Sequence, residues 1–544
     1  MNERHNSRPG LLQAEIPVDT FAVERATYAA AQDTSQPRLS AKIIRNVIFG
    51  GLRYVLVAPI PFLITPLILH KIGVAGYGTW AVFLAINGLT SLADMGLVGT
   101  LSKFVAEYYA RQDFFALGKL LNSGLVLFLV LAGIIITVLW IAAPELARHL
   151  FHGSTLVPGE LIALFRFFLI VIAANILNLL FSSVTSGLQR LDMTNMVSAA
   201  NVVMGALFGG VLLLLGWGLR GLVYGYIVAG MLTLAANVVI VRKLLPQVKI
   251  NPMRFETAEA RKMFSFSLQL YVTQAAVAVH NQVEKVFLAM LVGVAPVGWY
   301  DIASDVALKI RGAVGFILSP VLPAASELSA LGDEDRLREL YYRTHKYLAL
   351  FGVPVVCYAA VMSRRFVELW LGPELTMIAI PLSILLLVNF FNLATGPGFC
   401  IFTGRGELKP GIHSALLGIV LNVVLSLALI YKFAFAGAVL GTSISLIVAS
   451  AYFIAVFHRR TGYSLTRPLR EGYLKTALAS LISLAALFVL RPPRELSWLG
   501  LVLMTIGFGL LYSVIILFSR FFDEYDWSKI EHFVPLAQRL RRAG

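Results

Sequence analysis

Seven ionisable residues lie inside two apolar segments, Phe264 to about Val292 and Val297 to about Leu322, where a membrane-spanning helix ordinarily carries none. His280, Glu284 and Lys285 occupy the first segment; Asp301, Asp305, Lys309 and Arg311 occupy the second. Along the first, Gln269, Gln274, His280, Asn281, Glu284 and Lys285 recur at three-, four- and seven-residue steps, which predicts a polar stripe on one helix face. Along the second, Asp301, Asp305 and Lys309 follow at i, i+4 and i+8, so they share one broad face. A charge at mid-bilayer costs about 2.5–3.5 kcal/mol on insertion scales, and such groups turn toward a bundle interior or a water-filled cavity. Glu284, Asp301 and Asp305 could neutralise nearby cations or act as protonatable or Na⁺-binding groups. Both readings stand at this point. The turn at Gly293 to Pro296 is short enough to fold the two polar faces together, which predicts one water-accessible pocket shared with Lys285 and Lys309.

The surrounding chain has the composition of a membrane protein. Of its 544 residues, 58% are hydrophobic and 14% are charged, and the mean hydropathy is +0.78. A soluble domain is nearer 45–50% apolar and about 25% charged. The apolar residues fall in runs of the length needed to cross a bilayer. Fourteen spanning helices are expected, at 43–69, 78–97, 118–143, 161–188, 194–215, 219–241, 264–292, 297–322, 347–362, 377–402, 412–432, 436–456, 473–490 and 497–518. The net charge of +15 comes from Lys and Arg dispersed among loops rather than from a basic groove interleaved with aromatics, which argues against nucleic acid. The loops fall into a K/R-rich set, including Arg254, Arg336 and Arg467, and a K/R-poor set, including Lys71, Arg148 and Arg220. The rich side is expected to be cytoplasmic, with both termini inside.

Three short motifs recur in order. Ala75-Gly-Tyr-Gly78-Thr-Trp80 is echoed by Ala295-Pro-Val-Gly298-Trp-Tyr300. Thr185-Ser-Gly187 is echoed by Phe402-Thr-Gly404, and Gly221-Leu-Val-Tyr-Gly225 by Gly437-Ala-Val-Leu-Gly441. With six helices between start and restart, the copies have the same orientation, as in a parallel repeat. The expected organisation is an all-α integral membrane protein of two six-helix lobes, 41–245 and 264–460. A polar cytoplasmic tail at 1–40, a linker at 246–263, an extra helix pair at 461–519 and an interfacial tail at 520–544 complete it. Cys357 and Cys400 read as small buried hydrophobes near opposite membrane faces, not as a disulfide. No His/Cys cluster, HExxH or phosphate-binding GxxxxGK[ST] loop is present, so neither a metal nor a bound cofactor is expected.

The Arg45-Asn46 opening, Gly73-Val-Ala-Gly-Tyr-Gly-Thr-Trp80, Asp94-Met-Gly-Leu97 with Lys103-Phe-Val-Ala-Glu107, and Gly404-Arg-Gly-Glu407 resemble the polysaccharide-biosynthesis flippases. These belong to the multidrug/oligosaccharidyl-lipid/polysaccharide exporter superfamily, and the resemblance covers roughly 41–460. It implies two lobes around a central cavity. It also implies an undecaprenyl-diphosphate-linked glycan as cargo, moved across a bacterial cytoplasmic membrane by alternating access. Diphosphate is a compact anion that Arg grips through two parallel bonds and Lys as a point charge. Arg53, Arg166, Lys285, Lys309 and Arg311 are therefore the expected cargo-binding residues, with snorkelling to the interface the alternative for Arg166. Glu284, Asp301 and Asp305 are the candidates for coupling to a proton or sodium gradient. Asp94 reads as a cap or gate, and Asn87, Ser91, Asn389 and Asn392 as interhelical bonds or sugar contacts. No nucleophile–base pair accompanies these residues, so the protein is not expected to be an enzyme. An organic-cation exporter would call for a predominantly acidic cavity. A membrane glycosyltransferase or polymerase would need a large external loop with catalytic carboxylates. Enzymes of those two kinds are instead the expected pathway partners.

Overall fold

The structure is a computed structural model that describes residues 57–92, 96–249, 251, 253–489, 497–519 and 521–527, without the side chains of 91, 266, 268–279 and 281. Its described elements are helical: α1 (Pro59–Leu89), α2 (Leu97–Ala110), α3 (Phe114–Leu150), α4 (Pro158–Gly187), α5 (Leu191–Leu214), α6 (Gly218–Leu244) and α7 (Thr257–Leu291), then α8 (Val294–Gly315), α9 (Val321–Ala330), α10 (Glu334–Leu371), α11 (Ala379–Leu393), α12 (Gly396–Gly404), α13 (Lys409–Thr461), α14 (Lys475–Val489) and α15 (Trp498–Phe518). Eleven helical stretches among the described residues are long and apolar enough to cross a membrane. The chain is a multi-pass membrane protein. Apolar side chains such as Ile134, Val138 and Ile141 on α3, and Val502, Ile506 and Leu510 on α15, are exposed where lipid would cover them.

The helices run further than hydropathy alone predicts. α10 covers Glu334–Leu371 where 347–362 was expected, and α3 covers Phe114–Leu150 where 118–143 was expected. Hydropathy marks only the part inside hydrocarbon, whereas a helix continues until a cap or glycine stops it. Two expected loops shrink to single residues. α1 passes through Gly73 at φ 68° and ψ 177°, and α13 passes through Ala434 at φ 49° and ψ −127°. The expected second helix, 78–97, ends instead at Leu89, and Lys103 lies on the separate helix α2 rather than in a loop.

The echoed motifs perform the same packing in each half of the chain. A Cβ at Gly78 would lie 1.8 Å from the Val294 carbonyl oxygen, and one at Gly298 would lie 3.2 Å from the Tyr77 ring. The two copies of the first motif thus pack on each other. Gly187 closes on Ser102 of α2, while its echo Gly404 closes on Ala325 of α9. Gly225 meets the Gly209 backbone of α5, and Gly441 meets Ser426 across the Ala434 break within α13, so each small-x₃-small pair lets two helical segments approach closely. The structure adds an echo that the motifs did not show. Gln112, at φ 57°, precedes Asp113, whose carboxylate accepts the Ala116 N–H at 2.9 Å. Gly332, at φ 67°, precedes Asp333, which accepts the Arg336 N–H at 3.0 Å. Both are left-handed turns followed by an acidic N-cap.

Helix α7 is shared between the halves. It packs on α1, α2 and α3 and also along α13. Its approach is pinned to the first half: Asn122 holds both the Lys249 carbonyl and the Asn251 N–H, Ser123 bonds the Glu256 backbone, and Lys119 pairs with Glu256 at 2.6 Å. The expected linker at 246–263 therefore becomes helical at Thr257. Residues 521–527, expected to lie at the membrane interface, dock back on α10. There the buried Asp526 meets Arg343, Lys346 and Tyr347.

Candidate functional site

The Val292–Gly293 break turns the chain sharply enough to lay α8 against α1 and α7, which brings the charged residues of the two apolar segments together. Lys285 Nζ contacts Asp301 Oδ1 at 2.5 Å, and both side chains are only 12% exposed. Tyr77, from the first echoed motif, donates its hydroxyl to Asp301 Oδ2 at 2.8 Å. One turn along α8, Lys309 bonds Asp305 at 2.7 Å, with Asp305 41% exposed. Arg311 donates to Asn392 Oδ1 at 2.8 Å, and Asn392 in turn donates to Ser450 at 2.9 Å. A line of charge thus runs from the tightly held Lys285–Asp301–Tyr77 group to the more open Asp305–Lys309 pair and the Arg311–Asn392–Ser450 chain.

Glu284 corrects the expectation of one shared pocket. Consecutive helical residues point about 100° apart. Lys285 therefore faces Asp301, while Glu284 faces α13 and is fully buried. Its Oε1 accepts from Asn422 at 2.6 Å and from Thr442 at 2.7 Å, and Thr442 also shares a hydrogen bond with Tyr300 at 2.8 Å. Glu284 Oε2, Asn422 Oδ1 and Ser426 Oγ are buried and have no hydrogen-bond partner. Leaving such groups unpaired costs about 1–3 kcal/mol each. Hydrogen-bonding capacity is thus left unused on both α7 and α13 around the Glu284–Asn422 bond. His280 lies half-buried one turn before Glu284 on the same helix.

Arg166 does not join this line. Its guanidinium stacks on the Trp140 ring of α3 at 4.7 Å, and its Nε is buried without a partner. Stacking on an aromatic ring is a common way to hold a guanidinium among apolar helices. Arg53 and Asp94 lie outside the described residues, as do the side chains of Ser91, Gln269, Gln274 and Asn281. Cys357 and Cys400 are unpaired. Among the described residues no group of three His, Cys, Asp or Glu side chains is arranged to hold a metal ion.

Two cavities are formed by residues outside the charged line. One, of about 410 Å³, opens among α1, α4, α5 and α6 and is bordered by amides and hydroxyls, including Asn87, Asn175, Asn178 and Asn201. The other, of about 600 Å³, is apolar and aromatic, formed by Phe390, Ile454, Leu469 and Tyr473 with His345 and His458 at its edge.

The family described as "Polysaccharide biosynthesis protein" matches residues 43–329, which include α1 through α8 and the charged residues Lys285, Asp301, Asp305, Lys309 and Arg311. The chain belongs to that family. A putative O-antigen transporter of Shigella flexneri is 22% identical over 413 residues, 75% of this chain and 95% of that protein. A probable low-salt glycan biosynthesis flippase of Haloferax volcanii is 22% identical over 513 residues, 92% of this chain and 99% of its own. Among solved structures, "Lipid II flippase MurJ, inward closed conformation" superposes with a TM-score of 0.70 at 18% identity, covering 88% of this chain and 98% of that one. An inward-facing multidrug resistance MATE transporter of the MOP superfamily gives 0.60 at 16% identity, covering 75% and 95%. At these identities the structures show a shared transporter fold.

In this member of the polysaccharide biosynthesis family, sequence reasoning found the charges, with Asn392 beside Arg311 and Asn87 at the amide cavity, and missed the other neutral groups around them. Asn422 with Ser426, and Thr442 with Ser445, sit at i, i+4 and i, i+3 on α13, and that spacing was a readable signal of a polar face opposite Glu284. Asn175, Asn178 and Ser182 on α4, and Ser198 and Asn201 on α5, are spaced in the same way around the amide-lined cavity. Neutral residues attract less notice in an apolar helix than charges, because they cost less to bury.

Proposed function

We propose that this protein is a flippase that moves an undecaprenyl-diphosphate-linked oligosaccharide from the cytoplasmic to the outer leaflet by alternating access, for cell-surface polysaccharide synthesis. The observation that supports it most is the line of charge buried inside a membrane bundle of this family, in which the cations Lys285, Lys309 and Arg311 outnumber Asp301 and Asp305. A diphosphate needs such groups, whereas an exported organic cation would need acids in excess. The names of the O-antigen and glycan-flippase relatives fit the same cargo. The bundle would lie in a bacterial inner membrane with both termini in the cytoplasm, which follows from the loop bias in Lys and Arg. Glycosyltransferases would build the cargo on one face, and a polymerase would use it on the other. In this reading, Gly78 and Gly298 close the outer end of the passage, held by the Lys285–Asp301–Tyr77 group.

Glu284 is our candidate for ion coupling. Its free Oε2, with Asn422 Oδ1 and Ser426 Oγ, would accept a proton or coordinate Na⁺. Proteoliposomes loaded with a fluorescent lipid-linked oligosaccharide test both parts. Arg311→Gln and Lys309→Gln should abolish translocation while leaving insertion intact, and full transport by the Lys309→Gln/Arg311→Gln double variant would sink the anion-site reading. Glu284→Gln should still bind cargo, but its transport should no longer respond to an imposed proton or sodium gradient.

A further inference from the structure

The amide-lined cavity among α1, α4, α5 and α6 lies in the first half of the chain, apart from the charged line. Its chemistry is specific. It is bordered by Asn87, Asn175, Asn178, Asn201 and Asn237 with Thr233, while Ile176, Leu179 and Val197 supply the apolar surface. None of its lining residues is charged or aromatic. The amides are already arranged. Asn175 donates to Asn87 at 3.1 Å, Asn237 to Asn178 at 2.9 Å, Asn178 to the Gly230 carbonyl at 3.3 Å, and Thr233 to Asn201 at 3.3 Å. An amide has two N–H donors and a carbonyl with two acceptor sites, so these bonds leave capacity of both kinds facing the cavity. At its rim, Gly88 presses against the Gln282 side chain of α7, whose Oε1 is buried without a partner.

Elimination narrows the ligand. A cation would call for carboxylates and a diphosphate for Arg or Lys, and neither borders the space. A lipid chain would make no use of the donor and acceptor capacity that the five amides keep beyond their mutual bonds. Neutral molecules with hydroxyl groups on their edges and apolar faces match amides and hydroxyls set in a wall whose larger part is apolar. The volume of about 410 Å³ falls within the roughly 300–1,000 Å³ typical of small-molecule sites. We infer that this cavity is a carbohydrate subsite that holds uncharged sugar residues of the cargo, separate from the cations that hold its diphosphate. The inference rests on the flippase reading and adds to it where glycan selectivity is set.

The test uses the full chain in lipid nanodiscs and two probes, undecaprenyl diphosphate and the same lipid carrying a neutral disaccharide. Two variants are compared with the unaltered protein. Asn201→Leu removes an amide, whereas Ser198→Phe fills the cavity from a position whose hydroxyl takes no part in the amide network. Thermal unfolding of each variant checks folding, and Ser198→Phe keeps the test decisive if Asn201→Leu is unstable. The unaltered protein should prefer the glycosylated lipid. Both variants should lose about tenfold of that preference, the loss of roughly one net hydrogen bond or its steric equivalent, while binding the bare lipid diphosphate as before. Equal weakening toward both probes, unchanged preference in Ser198→Phe, or no preference in the unaltered protein would overturn the subsite while leaving the anion site standing. An unaltered protein that binds neither lipid would remove the flippase reading and the subsite with it.

Discussion

Between helices α4, α5 and α6 the cavity-lining polar groups are amides and hydroxyls, whereas between α7, α8 and α13 amides and hydroxyls surround buried charges. The two halves share echoed motifs, glycine contacts and acidic helix caps, yet they bury polarity by different chemistry. An amide network tolerates exchange, because a ligand hydroxyl can replace one hydrogen bond with another at little net cost. A charge pair does not, because removing either partner leaves an ion without compensation in a poor solvent. The common backbone therefore supplies one frame with two interiors, one holding neutral polar groups and the other carrying charge.

Stability of the two interiors should differ most. Lys285→Met should lower stability by about 3–5 kcal/mol, since Asp301 would be left buried with only Tyr77. The double variant Lys285→Met/Asp301→Leu should recover most of that loss. Unfolding in detergent reads both, and a double variant no more stable than the single one would show that the pair is not the unit of stability. The glycine contact between the halves comes next. Gly78→Ala forces a Cβ into the Val294 backbone, whereas its echo Gly298→Ala meets side-chain and backbone atoms at 3.2–3.3 Å. The first should cost about 1–3 kcal/mol and loosen this end of the bundle, and the second should cost much less. Labelling of a cysteine in place of Ser154, whose hydroxyl lies 3.3 Å from that of Thr79 beside this contact, would report the loosening, and equal labelling in the two variants would break the asymmetry.

In the amide interior, Asn237→Leu removes one interhelical hydrogen bond, to Asn178, and should cost about 0.6–1.7 kcal/mol, well under the Lys285→Met effect. Costs of equal size would erase the distinction between the two regions. The smallest expected effect lies outside the membrane. Burial opposes ionisation of Asp523, but the Asp526 N–H, Lys346 and Arg343 outweigh it and hold the carboxyl below the ordinary carboxylate value. A depressed folded value stabilises the docked 521–527 segment above the unfolded carboxylate value, and that contribution disappears as pH falls through the folded one. Asp523→Asn should flatten this acid-side loss in a melting-temperature profile. A profile unchanged by the substitution would remove Asp523 as its source.

Hydrophobic runs of bilayer length, with few charges between them, were enough to establish a helical membrane protein, because backbone polar groups in lipid must be satisfied within the segment. The echoed motifs were also legible, since a glycine needed for close helix approach is needed at the same place in each copy. The intramembrane charges announced themselves by their cost, and the structure does bring Lys285 to Asp301 and Lys309 to Asp305. What the sequence left open was direction around each helix and identity across it. One residue's step turns Glu284 from the cluster of its neighbour Lys285 toward Asn422 and Thr442, which lie well over a hundred positions along the chain. Arg166 looked like a cavity cation until the packing of α3 placed Trp140 under it. The amide cavity needs four helices to exist, and no single one of them carries more than a few neutral polar residues. Spacing along a chain fixes which residues share a face, but only the tertiary structure decides what that face meets, because long-range contacts depend on how the helices cross.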